Sequence, residues 1–180
     1  MFTLIEKLLS SIYKLKFLIK VGLGNLKDIG YQEGKNMPAT EPLCNVIGLK
    51  PHNLSREEFI VLEIELFVSV CEELKEILKT HYKDYFRFMK FNEEMEKVML
   101  EDNFIRFVIN DILLTEEYSL QGIAHYTQTT EDVIEDVASG LNPAPSLPLS
   151  RRIIDLHRSV RPNLYREIMK KITTEYLMSG

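Results

Sequence analysis

Apolar residues recur three and four positions apart through most of the chain, and this spacing predicts helices. The pattern is densest over residues 59–78, where apolar side chains cover most faces, as in a helix that is buried on several sides. A capping box at residues 55–58 marks its start. Further helices are predicted over 92–114, with a break near Asn103, and over 119–127, 130–139, 150–160 and 162–178. We therefore predict an all-α protein, a helical bundle of about six to eight helices.

The first 54 residues differ from the rest. Residues 1–21 place apolar side chains at helical spacing with lysines largely opposite, which predicts a basic amphipathic helix. Such a helix can pack on its own domain or on a second copy of the chain, or it can make peripheral membrane contact. Residues 22–54 hold five of the eight glycines and three prolines, so they are predicted to form a loop or linker. The predicted division is 1–54 and a helical domain over 55–180.

Two short helices joined by a tight turn are predicted over residues 119–140. Ser119 and Thr130 can each cap a helix, and Gly140 can end the second because glycine readily adopts positive φ. The apolar positions fall on one side of each helix: Leu120, Ile123 and Ala124 on the first, and Val133, Ile134 and Val137 on the second.

This arrangement resembles the helix-turn-helix of the phage lambda repressor-like, Cro-type family. The matching positions are the small residue at the helix crossing, the cap of the second helix, two buried recognition-helix positions and the closing glycine: Ala124, Thr130, Ile134, Val137 and Gly140. The proline-bearing loop at 142–146 and the helix at 150–160 resemble the segments that follow in the family, so the resemblance covers residues 100–160. It implies a C-terminal helix-turn-helix unit that binds double-stranded DNA in transcription regulation.

The sequence departs from the family in two ways. Gln128 stands where the family's turn usually has glycine, and Leu120 replaces the glutamine that positions a phosphate. The positions that would face the major groove are Thr130 and four carboxylates, which phosphates repel. An alternative function is therefore a non-enzymatic adaptor whose acidic, DNA-incompetent helix binds a basic protein partner.

The candidate DNA- or partner-binding residues lie on the helix pair and on the helix that follows it. They are Gln121, Gln128, Thr130, Glu131, Asp132, Glu135 and Asp136, followed by Arg151, Arg152, Arg158 and Arg161. DNA contact would have to come largely from the arginines.

Charge is distributed unevenly along the chain, whose net charge is −5. Residues 115–140 contain six acidic side chains and no Lys or Arg, whereas residues 150–180 contain seven basic and three acidic ones. The aromatic and basic segment at 85–91 can form a base-stacking strip or fill the core at a helix junction, and we favour the core.

Candidate chemistry is sparse. The four histidines, His125 among them, show no ligand spacing, and two cysteines form neither a disulfide framework nor a zinc site. The lysines at 7, 14, 16 and 20 interrupt the N-terminal apolar run, so no membrane-spanning segment is predicted. We expect no catalytic residue, no cofactor and no metal, and a cytoplasmic location.

Overall fold

The computed structural model describes residues 55–178, without the side chains of residues 57, 58 and 175–178, and this part of the chain is all-α. The all-α prediction is therefore confirmed for these residues. The helices are α1 (Arg56–His81), α2 (Lys83–Phe88), α3 (Glu93–Leu114), α4 (Leu120–Thr127), α5 (Glu131–Ser139), α6 (Leu147–Val160) and α7 (Pro162–Met178). The predictions for 1–21 and 22–54 lie outside the described residues. Over 55–178, none of the helices is both long enough and apolar enough to cross a membrane.

The described residues divide into two compact units. Residues 55–72 and 167–178 belong to one, and residues 73–166 to the other. In the first, α1 buries a stripe of apolar side chains at helical spacing, namely Val61, Leu62, Leu66 and Val70. The second unit contains α2 to α6 and all the candidate binding residues.

Local signals in the sequence set most of the helix ends. The Asn92 side chain accepts a hydrogen bond from the amide of Met95 (2.9 Å), and the Ser119 hydroxyl accepts one from the amide of Gly122 (3.2 Å). Thr130 precedes α5 as predicted, but its side chain makes no capping hydrogen bond. The fourth helix of the predicted unit begins at Leu147, three residues before the predicted start at Ser150. Proline in its first turn loses no helical hydrogen bond there.

In the second unit, α3 packs against α5 and α6, and α4 packs against the same two helices. Asn103 has non-helical dihedral angles (φ −121°, ψ 16°) and breaks α3 where the sequence predicted a break. Its side-chain amide donates to the carbonyl of Met99 (3.1 Å). The core between these helices is apolar and comes mainly from Phe104, Val108, Ile109, Ile112, Ile123, Ile134, Val137, Ile153 and Leu156.

The aromatic segment at 85–91 only partly fills the core. Phe86 is fully buried, stacks on Phe91 and meets the ring of Phe107 edge-on. Tyr85 and Phe88 are instead exposed, Phe88 by 83%. The core prediction is therefore wrong for these two, because α2 is a short surface helix with a single inward side chain.

Candidate functional site

The connection between α4 and α5 is a three-residue turn that begins with a left-handed residue. Gln128 has φ 55° and ψ 45°, the region that glycine occupies without strain. The amide of Thr129 donates to the carbonyl of Ala124 (3.0 Å), which closes the end of α4. The glutamine at this position thus costs about 1–2 kcal/mol of backbone strain but leaves the turn intact.

The inward sides of the two helices are those that the sequence predicted. Ile123 and Ala124 of α4 are buried, as are Ile134 and Val137 of α5. Thr127 is also buried, and its hydroxyl donates to the carbonyl of Ile123 (2.8 Å), so it brings no unsatisfied polar group into the core. The opposite side of α5 therefore faces outward.

The outward side of α5 carries four exposed carboxylates, Glu131, Asp132, Glu135 and Asp136, which we call the acidic face. None of the four forms an ion pair with a described residue. The helix dipole stabilises only the first two, which lie in the first turn. Like charges four residues apart repel each other by a few tenths of a kcal/mol, roughly 0.2–0.5. Within the described part of the chain, no ion pair offsets this repulsion.

Two arginines close the C-terminal ends of the helix pair. Arg152 donates through Nη1 to the carbonyl of Thr127 at the end of α4 (2.7 Å). Arg106 on α3 donates through Nε to the carbonyl of Ala138 near the end of α5 (3.0 Å). Cations at these positions satisfy carbonyls that lack a partner within the helix. Arg152, a candidate for binding DNA or a partner, thus already has a role within the fold.

The other candidates occupy varied positions. Arg158 lies 3.4 Å from Asp155, one turn earlier on α6. Arg151 is half-buried and makes no ion pair with a described residue. Gln121 and His125 are both exposed on α4.

A buried polar network joins α3, α6 and the first turn of α7. Arg161 donates to both oxygens of Asp111, from Nε at 2.9 Å and from Nη2 at 3.1 Å. The fully buried His157 donates from Nε2 to the same carboxylate (2.8 Å). Its Nδ1 lies 2.9 Å from the hydroxyl of Tyr165. Among the described residues, no buried side-chain nitrogen or oxygen lacks a hydrogen-bond partner.

The network shifts the acidity of two groups. The hydrogen bond from His157, reinforced by Arg161, outweighs burial and lowers the pKa of Asp111 from 3.8 to about 2. Burial, and then the nearby negative charge of Asp111, raises the pKa of Tyr82. Asp111 is therefore a carboxylate throughout the neutral range.

The binding residues predicted from the sequence do not include Asp111, His157 or Tyr165, and they include Arg161 as a contact to DNA or a partner. Two signals could have found them. Asp111 interrupts an apolar run, which indicates a buried acid that needs a partner. His157, Arg161 and Tyr165 are four residues apart, so they lie on one side of the chain as it passes Pro162.

The buried network around Asp111 and the exposed acidic face of α5 differ in what they can do. Asp111 and His157 are buried, so the network supports the fold, whereas the acidic face is exposed and can be reached by a macromolecule. Across the described part of the chain, no group of three or more His, Cys, Asp or Glu side chains is arranged to hold a metal ion. Comparison with known proteins gives no significant match: no family model, no curated protein and no solved structure is similar to this chain.

Proposed function

We propose that residues 100–160 are a lambda repressor-like helix-turn-helix unit, and that this unit is an interaction module that binds a basic protein partner through the acidic face. The left-handed turn at Gln128, the buried Ala124 and the left-handed Gly140 after α5 support the fold assignment. Ala124 and Gly140 occupy positions on which the resemblance rests, and Gln128 occupies the position where the family's turn usually has glycine.

One observation carries the choice of partner: the outward helix is acidic, and the arginines beside it are already engaged. The four carboxylates of the acidic face form no ion pair with a described residue, so a basic partner would relieve their mutual repulsion. Arg152 and Arg161 are hydrogen-bonded within the fold, and Arg158 is ion-paired. A phosphate backbone would therefore meet four negative charges and few available positive ones.

A second candidate function is that of a transcription regulator that binds double-stranded DNA, which the helix-pair geometry favours. In that case α5 would enter the major groove, and Arg151, which has no ion pair with a described residue, would contact phosphate.

The deciding experiment compares two double variants that change the net charge equally. The α5 variant, Glu131→Gln with Asp132→Asn, removes two negative charges from the acidic face. The loop variant, Glu116→Gln with Glu117→Gln, removes two negative charges from exposed acids in the loop before α4. The wild type and both variants are each used to capture proteins from an extract of the cells that contain this protein. The captured proteins are eluted with salt and then identified.

An interaction module predicts that one basic protein is captured by the wild type and by the loop variant but not by the α5 variant. Fluorescence anisotropy with random-sequence duplex DNA at two salt concentrations tests the second function. A DNA-binding regulator predicts salt-sensitive binding that Arg151→Ala weakens and the α5 variant strengthens. Capture that is unaffected by the α5 substitutions would contradict the interaction module.

A further inference from the structure

A second surface of the protein lies on residues 82–98, which comprise α2, the turn after it and the start of α3. This segment exposes five large apolar side chains: Tyr85, Phe88, Met89, Met95 and Val98. Single exposed apolar residues are common on protein surfaces, but five within one short segment are typical of an interface.

The segment is held firmly by the residues beneath it. Phe86 is fully buried and contacts the rings of Phe91 and Phe107. The amide of Phe91 donates to the carbonyl of Phe86 (3.0 Å) and closes the turn, in which Lys90 is left-handed (φ 55°). Just after the segment, Glu101 of α3 accepts a hydrogen bond from Lys75 of α1 (2.7 Å). The exposed side chains of α2 therefore project from a helix that Phe86 and the closing turn anchor to the core.

The charges on this surface are divided between its two ends. The α2 end carries the exposed Lys83, Arg87 and Lys90 against one acid, Asp84. The start of α3 carries the exposed Glu93 and Glu94 and the half-buried Glu96 against one base, the exposed Lys97. Arg87 lies 3.9 Å from Asp84, and both side chains are largely exposed, so this contact is weak. The surface thus has a basic end and an acidic end, with apolar side chains at both.

A surface of this kind is complementary to itself. A twofold axis through its centre places the basic end of one copy against the acidic end of the other and brings the apolar side chains together. We infer that residues 82–98 form an isologous dimer interface and that the partner is a second copy of this chain. This inference does not rest on the proposed function, because the acidic face of α5 takes no part in it.

Sedimentation equilibrium of the full chain over a range of concentrations tests the inference. The wild type is expected to dimerise, and Phe88→Glu should raise the dimer dissociation constant tenfold or more, because a charge replaces an apolar side chain at the interface (roughly tenfold per 1.4 kcal/mol). Leu114→Glu is the matched control, since Leu114 is a similarly exposed apolar residue at the far end of α3. Circular dichroism verifies that each variant is folded, and Val98→Glu provides a second test within the patch.

Charge reversal tests the twofold arrangement itself. Arg87→Glu and Glu94→Arg should each weaken dimerisation, and the two together should restore it, because the exchanged charges face each other again in the dimer. A wild type that stays monomeric at every concentration would overturn the inference. So would a Phe88→Glu chain that dimerises like the wild type, a Leu114→Glu chain that is weakened as much, or a double reversal no better than either single one.

Discussion

Ala124 is a small side chain on α4, which packs against α5 and α6, and only 3% of its surface is accessible. Its neighbours in the pair, Ile123 and Ile134, are completely buried. Interiors are packed closely enough that even one added methylene requires neighbouring atoms to move. A larger side chain at this buried position would therefore have to displace its neighbours.

Replacing Ala124 with leucine should accordingly destabilise the protein by about 1–3 kcal/mol, because the added atoms have no space between the helices. Urea denaturation measures the change. His125→Leu, at the next and exposed position, is the control and should alter the free energy of unfolding by about 0.5 kcal/mol or less. Equal stability of Ala124→Leu and the wild type would contradict the close helix crossing.

At the scale of whole elements, α5 depends on its C-terminal end, since Thr130 makes no side-chain cap at the start. Gly140 ends the helix with φ 87°, and Arg106 reaches across from α3 to the carbonyl of Ala138. A Cβ at position 140 would lie 2.9 Å from Nη1 of Arg106. The guanidinium cannot move away without weakening its hydrogen bond to α5.

Gly140→Ala should therefore destabilise the protein by roughly 1–3 kcal/mol, through left-handed backbone strain and the displaced arginine. Chemical denaturation gives the magnitude. Ser139→Ala changes the preceding exposed residue and should have a much smaller effect. In an Arg106→Ala background the cost of Gly140→Ala should fall, because only the backbone strain remains. The same cost in both backgrounds would show that the arginine does not matter.

At the scale of the second unit, the buried carboxylate of Asp111 ties distant parts of the chain together. His157 is 46 residues away and Arg161 is 50 residues away, and both bind the carboxylate. Removing one member of a buried, hydrogen-bonded charge network leaves the others without compensation, which typically costs about 3–5 kcal/mol. Asp111→Asn should therefore be among the most destabilising single substitutions in this unit.

The low pKa of Asp111 makes this contribution dependent on pH. Because the pKa is about 2 in the folded protein and 3.8 ordinarily, the ionised carboxylate stabilises the fold fully above 3.8. That part of the stability, about 2 kcal/mol, disappears as the pH falls through about 2. The difference in unfolding free energy between wild type and Asp111→Asn should thus shrink on acidification. Denaturation curves from neutral pH downward measure it.

Asp155→Asn is the control for this comparison. Asp155 forms only a partly exposed pair with Arg158 one turn away, so its loss should cost about 0–1 kcal/mol. A difference between wild type and Asp111→Asn that stayed constant down to the lowest measurable pH would contradict the role given to the ionised carboxylate.

The parts of the fold that the sequence predicts are those with local causes. The Ser119 hydroxyl caps α4 by accepting a hydrogen bond from the amide three residues later. Gly140 ends α5, and Pro162 begins α7. Each signal involves residues within one turn of each other, and apolar periodicity then identifies the inward sides. This is why α4, α5 and α7 lie where the spacing indicates.

The remaining features depend on contacts between residues far apart in sequence. Arg152 reaches a carbonyl 25 residues earlier, and His157 meets Asp111 only because α3 packs on α6. An arginine that binds phosphate and one that closes a helix look alike in a sequence. The exposure of Phe88 likewise follows from how α2 lies on the surface, which no local pattern specifies.

The kink at Asn103 divides α3 into a segment before it and a segment after it. The first, before the break, is joined to α1 through the Lys75–Glu101 ion pair, and the second supplies Phe107, Val108 and Ile109 to the buried core. Because the two segments meet at the non-helical dihedral angles of Asn103, we expect the backbone amides of the first segment to exchange with solvent independently of those of the second. Asn103 would then be the boundary between two local unfolding events, which amide hydrogen exchange measures residue by residue.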